Sequence, residues 1–100
     1  MDVQSYCDNA RIELTSWKAK LYDIVRKMEK LSTGEREPFV HQLRDLHMIV
    51  DQLSDRINQL QTECPTEWNP QKEEIEGKMS QLRDNWKQMW EGFPHSAIGG

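Results

Sequence analysis

The side chains with the most distinctive chemistry in this sequence are two thiols, those of Cys7 and Cys64. Two thiols that folding brings together can close into a disulfide under oxidation, whereas separate thiols pack as small apolar side chains. A metal ion shared between two thiolates needs further ligands, and the sequence offers none at a suitable spacing. Two interpretations therefore stay open: a redox-responsive pair, or two ordinary core residues.

The other reactive side chains form no catalytic or metal-binding pattern. His41 and His47 are on different helix faces at their spacing, and His95 stands apart from both. The glycines are too scattered for a phosphate-binding loop, and no nucleophile elbow is present. The carboxylates within residues 73–76 suit the positive end of a helix dipole. We therefore expect a protein that is not an enzyme and that uses no cofactor or metal.

Tryptophan is the other unusual residue type, with 4 in 100 residues. Trp17, Trp68 and Trp86 fall on apolar positions of helical repeats, which predicts that they pack in the core. Trp90 lies beside such a position, where it could form part of a groove for a partner.

The charge is mixed along the chain, with 13 basic and 17 acidic side chains and a net charge of −4. This balance argues against nucleic acid as a partner. No apolar run approaches the ~20 residues of a membrane span. In the first predicted helix the basic residues are interleaved with acidic ones, which disfavours a helix that lies on a membrane surface. The first ten residues do not resemble a secretory signal. We therefore expect a cytoplasmic protein with reduced thiols.

Three runs of apolar residues carry these side chains, each with the alternating three- and four-residue spacing of a coiled-coil heptad. The first run is Val3, Cys7, Ala10, Leu14, Trp17, Leu21, Ile24, Met28 and Leu31. The second is Phe39, Leu43, Leu46, Val50, Leu53, Ile57, Leu60 and Cys64. The third is Trp68, Ile75, Met79, Leu82, Trp86, Met89 and Phe93, with Lys72 filling one further position.

The heptad frame slips by one residue at each junction between runs, so each junction is predicted to be a turn. The first contains Gly34, which suits a left-handed residue after a helix. The second is "CPTEWNP", residues 64–70, where Pro65 ends one helix and Thr66 or Asn69 could cap the next. The predicted helices cover residues 2–32, 36–63 and 67–92.

Short turns between long helices make neighbouring helices antiparallel. The predicted fold is all-α: an elongated antiparallel three-helix bundle with coiled-coil packing, formed as a single domain by residues 1–93. Residues 94–100 are predicted to be a flexible tail that ends in Gly-Gly. In such a bundle Cys7 and Cys64 fall in one layer at the open end of the first hairpin.

A few apolar residues fall outside the buried heptad positions. Ile12, Ala19 and Met48 occupy outermost positions, and Tyr22 occupies another outer position. With Trp90, these residues form the predicted interaction surface, and the stripe on the first helix predicts a weak homodimer. A partner of another kind cannot be named from these residues.

The stretch "EWNPQKEEIEGKMSQLRDNWKQMWEGF" resembles the last helix of a family of small bacterial coiled-coil proteins associated with stress responses. Trp68, Lys72, Trp86 and Phe93 match the family's aromatic and lysine positions, and the resemblance extends over most of residues 10–93. It implies a helical bundle that is associated with stress and has no recognised active site. From the lack of a catalytic pattern and from the exposed apolar residues, we expect a non-enzymatic protein-interaction or scaffold protein. A eukaryotic spectrin-type repeat, with a tryptophan on its first helix like Trp17, is the competing resemblance.

Overall fold

A computed structural model of the chain describes residues 2–93, and the predicted tail at 94–100 lies outside the described residues. Three α-helices follow one another: α1 (Val3–Met28), α2 (Thr33–Glu63) and α3 (Asn69–Gly92). The molecule measures 50 × 19 × 18 Å, so its length is set by single helices lying side by side. The predicted elongated three-helix bundle is confirmed.

Helix α1 is capped by Asp2, whose carboxylate accepts a hydrogen bond from the backbone N–H of Ser5 at 2.8 Å. Its last turn tightens where the N–H of Lys30 donates to the carbonyl of Lys27 and that of Leu31 to Met28. This tightening ends the helix at Met28, earlier than predicted. Leu31 remains in the core although it lies beyond the helix.

Helix α2 begins at Thr33 because Ser32 and Glu35 form a capping box, in which each side chain bonds the backbone N–H of the other residue. Gly34 therefore lies inside the first turn of α2, and the prediction that it is a left-handed residue after α1 was wrong. The capping box also explains why α2 starts before residue 36.

The segment "CPTEWNP" is the predicted turn, but its capping differs from the prediction. Cys64 is left-handed (φ 43°, ψ 54°), and its N–H donates to the carbonyl of Leu60 at 3.0 Å. Trp68, not Thr66 or Asn69, precedes the first residue of α3, and it supplies no side-chain cap. Pro70 occupies the first turn of α3, where its missing N–H costs nothing.

The core is the set of heptad positions from all three helices, with five departures, of which the partly buried Val3 is the first. Leu14, Leu21, Leu53, Ile57 and Leu82 are among the residues with at most 3% of their surface exposed. Leu43, Trp68 and Trp86 were predicted to be buried but are only partly so. Cys64 was also predicted to be on the buried seam, but it is exposed because the left-handed turn ends the helix there.

Candidate functional site

Helices α1 and α3 run parallel to one another, since each packs antiparallel to α2. Among residues 2–93, Cα atoms of both helices approach those of α2 to within 8 Å, but no Cα of α1 comes that close to one of α3. Side chains alone therefore connect α1 with α3. We call this side of the bundle the α1–α3 seam, formed by the facing side chains of Asp2–Lys27 and Trp68–Phe93.

Aromatic rings close the N-terminal end of the seam. The rings of Tyr6 and Trp68 lie 5.1 Å apart between centroids, and the ammonium of Lys72 sits about 6 Å from both rings. The Tyr6 hydroxyl lies 3.5 Å from the carbonyl of Lys72. Burial and, to a lesser degree, the Glu76 carboxylate raise the pKa of Tyr6 to about 12, so the phenol stays protonated.

A second aromatic group closes the C-terminal half of the seam. Trp17 meets Trp86 edge-to-face at 5.7 Å, and Trp86 stacks on Trp90 at 5.6 Å. The row continues from Trp90 through Phe93 to Phe39 of α2. These contacts join all three helices at this end, so the C-terminal half of the seam is firmly packed.

Between the two aromatic groups, one ion pair spans the seam. Arg83 donates from its Nε and Nη2 atoms to the two carboxylate oxygens of Glu13, at 3.0 and 2.7 Å, and the indole N–H of Trp17 donates to the same carboxylate at 3.1 Å. The hydrogen bonds from Arg83 and then from Trp17 hold the pKa of Glu13 below its usual range, despite some opposition from burial. Glu13 is therefore charged at neutral pH and fixes the spacing of the helices.

An open groove of about 530 Å³ lies between this ion pair and Tyr6. Its floor is apolar, formed by Ala10, Ile75 and Met79, and Glu76 stands on its rim. A volume of this size accommodates several side chains of another molecule. The groove combines an apolar floor with charged edges, so it offers both hydrophobic contact and charge to a bound molecule.

Within residues 2–93, no group of three His, Cys, Asp or Glu side chains is placed to hold a metal ion. None of the helices in this described part is both long and apolar enough to span a bilayer. His41 and His47 are exposed on α2.

The two thiols occupy different environments. Cys7 is fully buried, with its sulfur 3.9 Å from the carbonyl of Ile57, while Cys64 is exposed, with its sulfur 2.9 Å from the carbonyl of Gln61. Burial raises the pKa of Cys7, which Arg11 opposes and the neighbouring Cys64 slightly reinforces. The two thiols are thus near enough to interact electrostatically but are not bonded, so the disulfide stays a prediction.

The five predicted surface residues do not form one patch. Ile12, Ala19 and Tyr22 are exposed on the outer side of α1, and Met48 is exposed on α2, a different side of the bundle. Trp90 belongs to the aromatic row of the seam. The homodimer predicted through the outer stripe of α1 remains a prediction.

Sequence reasoning missed the members of the seam that carry charge, above all Glu13 and Arg83. A signal was present, because polar and aromatic residues recur at seven-residue intervals beside the buried positions. On α1 they are Tyr6, Glu13, Lys20 and Lys27; on α3 they are Glu76, Arg83 and Trp90. Such a stripe on each of two parallel helices marks the edges that meet.

Comparisons with protein-family models, curated proteins and solved structures found no match to this chain.

Proposed function

We propose that this chain is a helical protein-interaction module without catalytic activity, and that it binds another protein chain through the α1–α3 seam. The groove over Ala10, Ile75 and Met79 is the observation that carries the proposal. A partner helix that lies along two parallel helices can insert side chains between them, a common mode of peptide recognition.

The composition of the seam supports the same proposal. Tyr6, Trp68, Trp86 and Trp90 are packed against the core but only partly buried. Aromatic residues are enriched in the buried centres of protein interfaces. Because the rings hold one another in place, a partner would meet a preformed surface and little ordering cost would be added on binding.

Photo-crosslinking from single positions tests the proposal. A photoreactive amino acid replaces Glu76 on the groove rim, and in a matched variant it replaces Arg44, which is exposed on the far side of α2. We expect a discrete crosslinked product from position 76 and none from position 44. Equal crosslinking from both positions would show that contacts are nonspecific.

A groove-filling substitution gives the second arm of this test. Ala10→Met adds a side chain that extends into the groove from its floor, so it should abolish the crosslink from position 76 while the helical circular dichroism signal is retained. If the crosslink persists with a folded Ala10→Met protein, the partner does not use the groove.

The association with stress and the cytoplasmic location remain predictions from the sequence.

A redox role is the second candidate function, favoured by the proximity of a buried and an exposed thiol. Exposure lets an oxidant reach Cys64, and Cys64 lies near enough to Cys7 to contribute to the raised pKa of the Cys7 thiol. A disulfide between Cys7 and Cys64 would require both sulfur atoms to leave the backbone carbonyls that they now contact, those of Ile57 and Gln61.

A further inference from the structure

The α1–α3 seam carries opposite charge at its two ends. Its N-terminal half has three exposed carboxylates, which Lys72 only partly offsets: Asp2, Glu73 and Glu76. Its C-terminal half has three lysines: Lys20, Lys27 and Lys87. Of these only Lys27 is paired along the helix, with Asp23 at 3.2 Å. The seam is therefore net negative at one end and net positive at the other.

Helix dipoles do not account for this distribution. A dipole stabilises carboxylates in the first turn of a helix and lysines in the last turn, and its effect fades beyond that turn. Glu76 lies two turns inside α3, and Lys20 lies two turns before the end of α1. The charges at these positions are therefore available to select a partner.

We propose that the partner of the seam is a second copy of this chain, bound antiparallel about a two-fold axis that crosses the helices. In this orientation the acidic half of each seam faces the basic half of the other, so the attraction occurs twice. A parallel pair would place like charges together. The proposal rests on the proposed function, because it names the partner of the same surface.

The size of the seam suits such an interface. Helix α1 has 26 residues, which at ~1.5 Å per residue gives a length of about 39 Å. With the 19 Å width of the molecule, the face offers on the order of 700 Å² to a partner, close to the ~800 Å² per partner of a standard interface. The partly buried aromatic rings would lie towards its two ends and the charges along its edges.

One register pairs the charges on both helices. With the two-fold axis near the middle of the seam, Glu76 of one copy faces Lys87 of the other, and Asp2 faces the end of α1 that carries Lys27 of the other. Glu76 and Lys87 lie on the same straight helix about 16 Å apart, so they cannot meet within one chain. Any energetic coupling between these two residues must therefore arise between copies.

Sedimentation velocity of the full chain over a range of concentrations and salt tests this proposal. The variants are Glu76→Lys, Lys87→Glu and the double reversal, and the matched controls are Asp51→Lys and Arg44→Glu on the exposed side of α2. Circular dichroism establishes that each variant is folded at the concentrations used.

We expect the wild type to dimerise reversibly and to dissociate as salt rises, because the contacts are near the surface. Each single reversal removes the same ion pair at two symmetry-related contacts. If the loss at one contact weakens binding about threefold, the two together raise the dissociation constant about tenfold. The double reversal should restore wild-type dimerisation, and the α2 controls should leave it unchanged.

Three outcomes would overturn the proposal: a wild-type monomer at every accessible concentration, single reversals without effect, or a double reversal no better than the singles. A dimer that Ile12→Lys alone disrupts would assign self-association to the outer stripe of α1. A monomer whose position 76 still crosslinks to another protein would overturn the homodimer but leave the proposed function standing.

Discussion

Replacing Trp86 with alanine tests how much the aromatic row stabilises the bundle. Complete burial, as the heptad position predicted, would make this substitution cost ~3–5 kcal/mol. The Trp86 ring is only partly buried, however, so its removal loses less of the free energy of transfer from water than the removal of a fully buried ring. It also contacts two other rings, Trp17 and Trp90, and such pairs contribute ~0.5–1.5 kcal/mol each.

These contributions set the expected loss of unfolding free energy at about 2–4 kcal/mol. Urea denaturation followed by circular dichroism measures the loss, and the slope of the transition shows whether unfolding stays two-state. For a domain of this size the melting temperature should fall by roughly 10–20 °C. Trp86→Phe, which retains a ring, should lose less than half as much.

Gln81→Ala provides the matched control, since Gln81 is exposed on the same helix and takes no part in the proposed interface. Its unfolding free energy should change by less than about 0.5 kcal/mol. A loss below ~1 kcal/mol for Trp86→Ala would show that the ring faces water, and the packing that joins α1 to α3 would then need another source.

Four further predictions follow from the helix ends, the thiols and the ion pair. A chain that ends at Glu63 lacks α3, so it should lose cooperative thermal unfolding or aggregate; an equally sharp transition would contradict the three-helix core. Cys64→Gly should raise the unfolding free energy by up to about 1 kcal/mol in urea denaturation, because glycine adopts the left-handed conformation without strain, and a lower stability would refute this. Peroxide should yield an intramolecular disulfide between Cys7 and Cys64, which mass spectrometry detects. In the chain-entropy model this bond stabilises the fold by up to about 4 kcal/mol before strain is subtracted. Cys7→Ser should abolish the disulfide, and an oxidised wild type without it would contradict the redox hypothesis. Folding lowers the pKa of Glu13, so the stability that its charged carboxylate contributes is present above pH ~4.5 and fades as the pH falls through the lower pKa of the folded state. Glu13→Gln should therefore lower the unfolding free energy at pH 7 and have little effect at pH 3. An equal loss at both pH values would exclude the ion pair with Arg83 as the source of the stabilisation.

The sequence was sufficient for the fold because burial in a helical bundle depends on a single periodicity. Cys7, Leu14 and Leu21 recur at heptad spacing on α1, as Leu46, Leu53 and Leu60 do on α2, and each is buried as that spacing requires. The slips in the heptad frame placed the second turn correctly, but the first turn lies at residues 29–32, just before the predicted residues 33–35. Their capping was harder to predict, because the capping box of Ser32 competes with the left-handed glycine that also suits the same junction.

The site could not be predicted with the same success, because it depends on which helix edges meet. Heptad spacing identifies the residues that point inward, but Glu13 and Arg83 lie just outside that set, and either could have faced water. Their contact exists because α1 and α3 are parallel and set far enough apart for two long side chains to span the gap.

The same geometry explains why the groove between α1 and α3, at about 530 Å³, is larger than the hollows of about 110 and 270 Å³ between α2 and α3. Both helices pack closely on α2 along their whole length, whereas between themselves they rely on large rings at either end of the seam. Tyr6 and Trp68 at one end, and Trp17 and Trp86 at the other, act as spacers, and the small side chain of Ala10 lies between them. Bulky residues at the ends and a small one in the middle hold the helices apart, so the groove follows from side-chain size, and an enlarged residue 10 should close it.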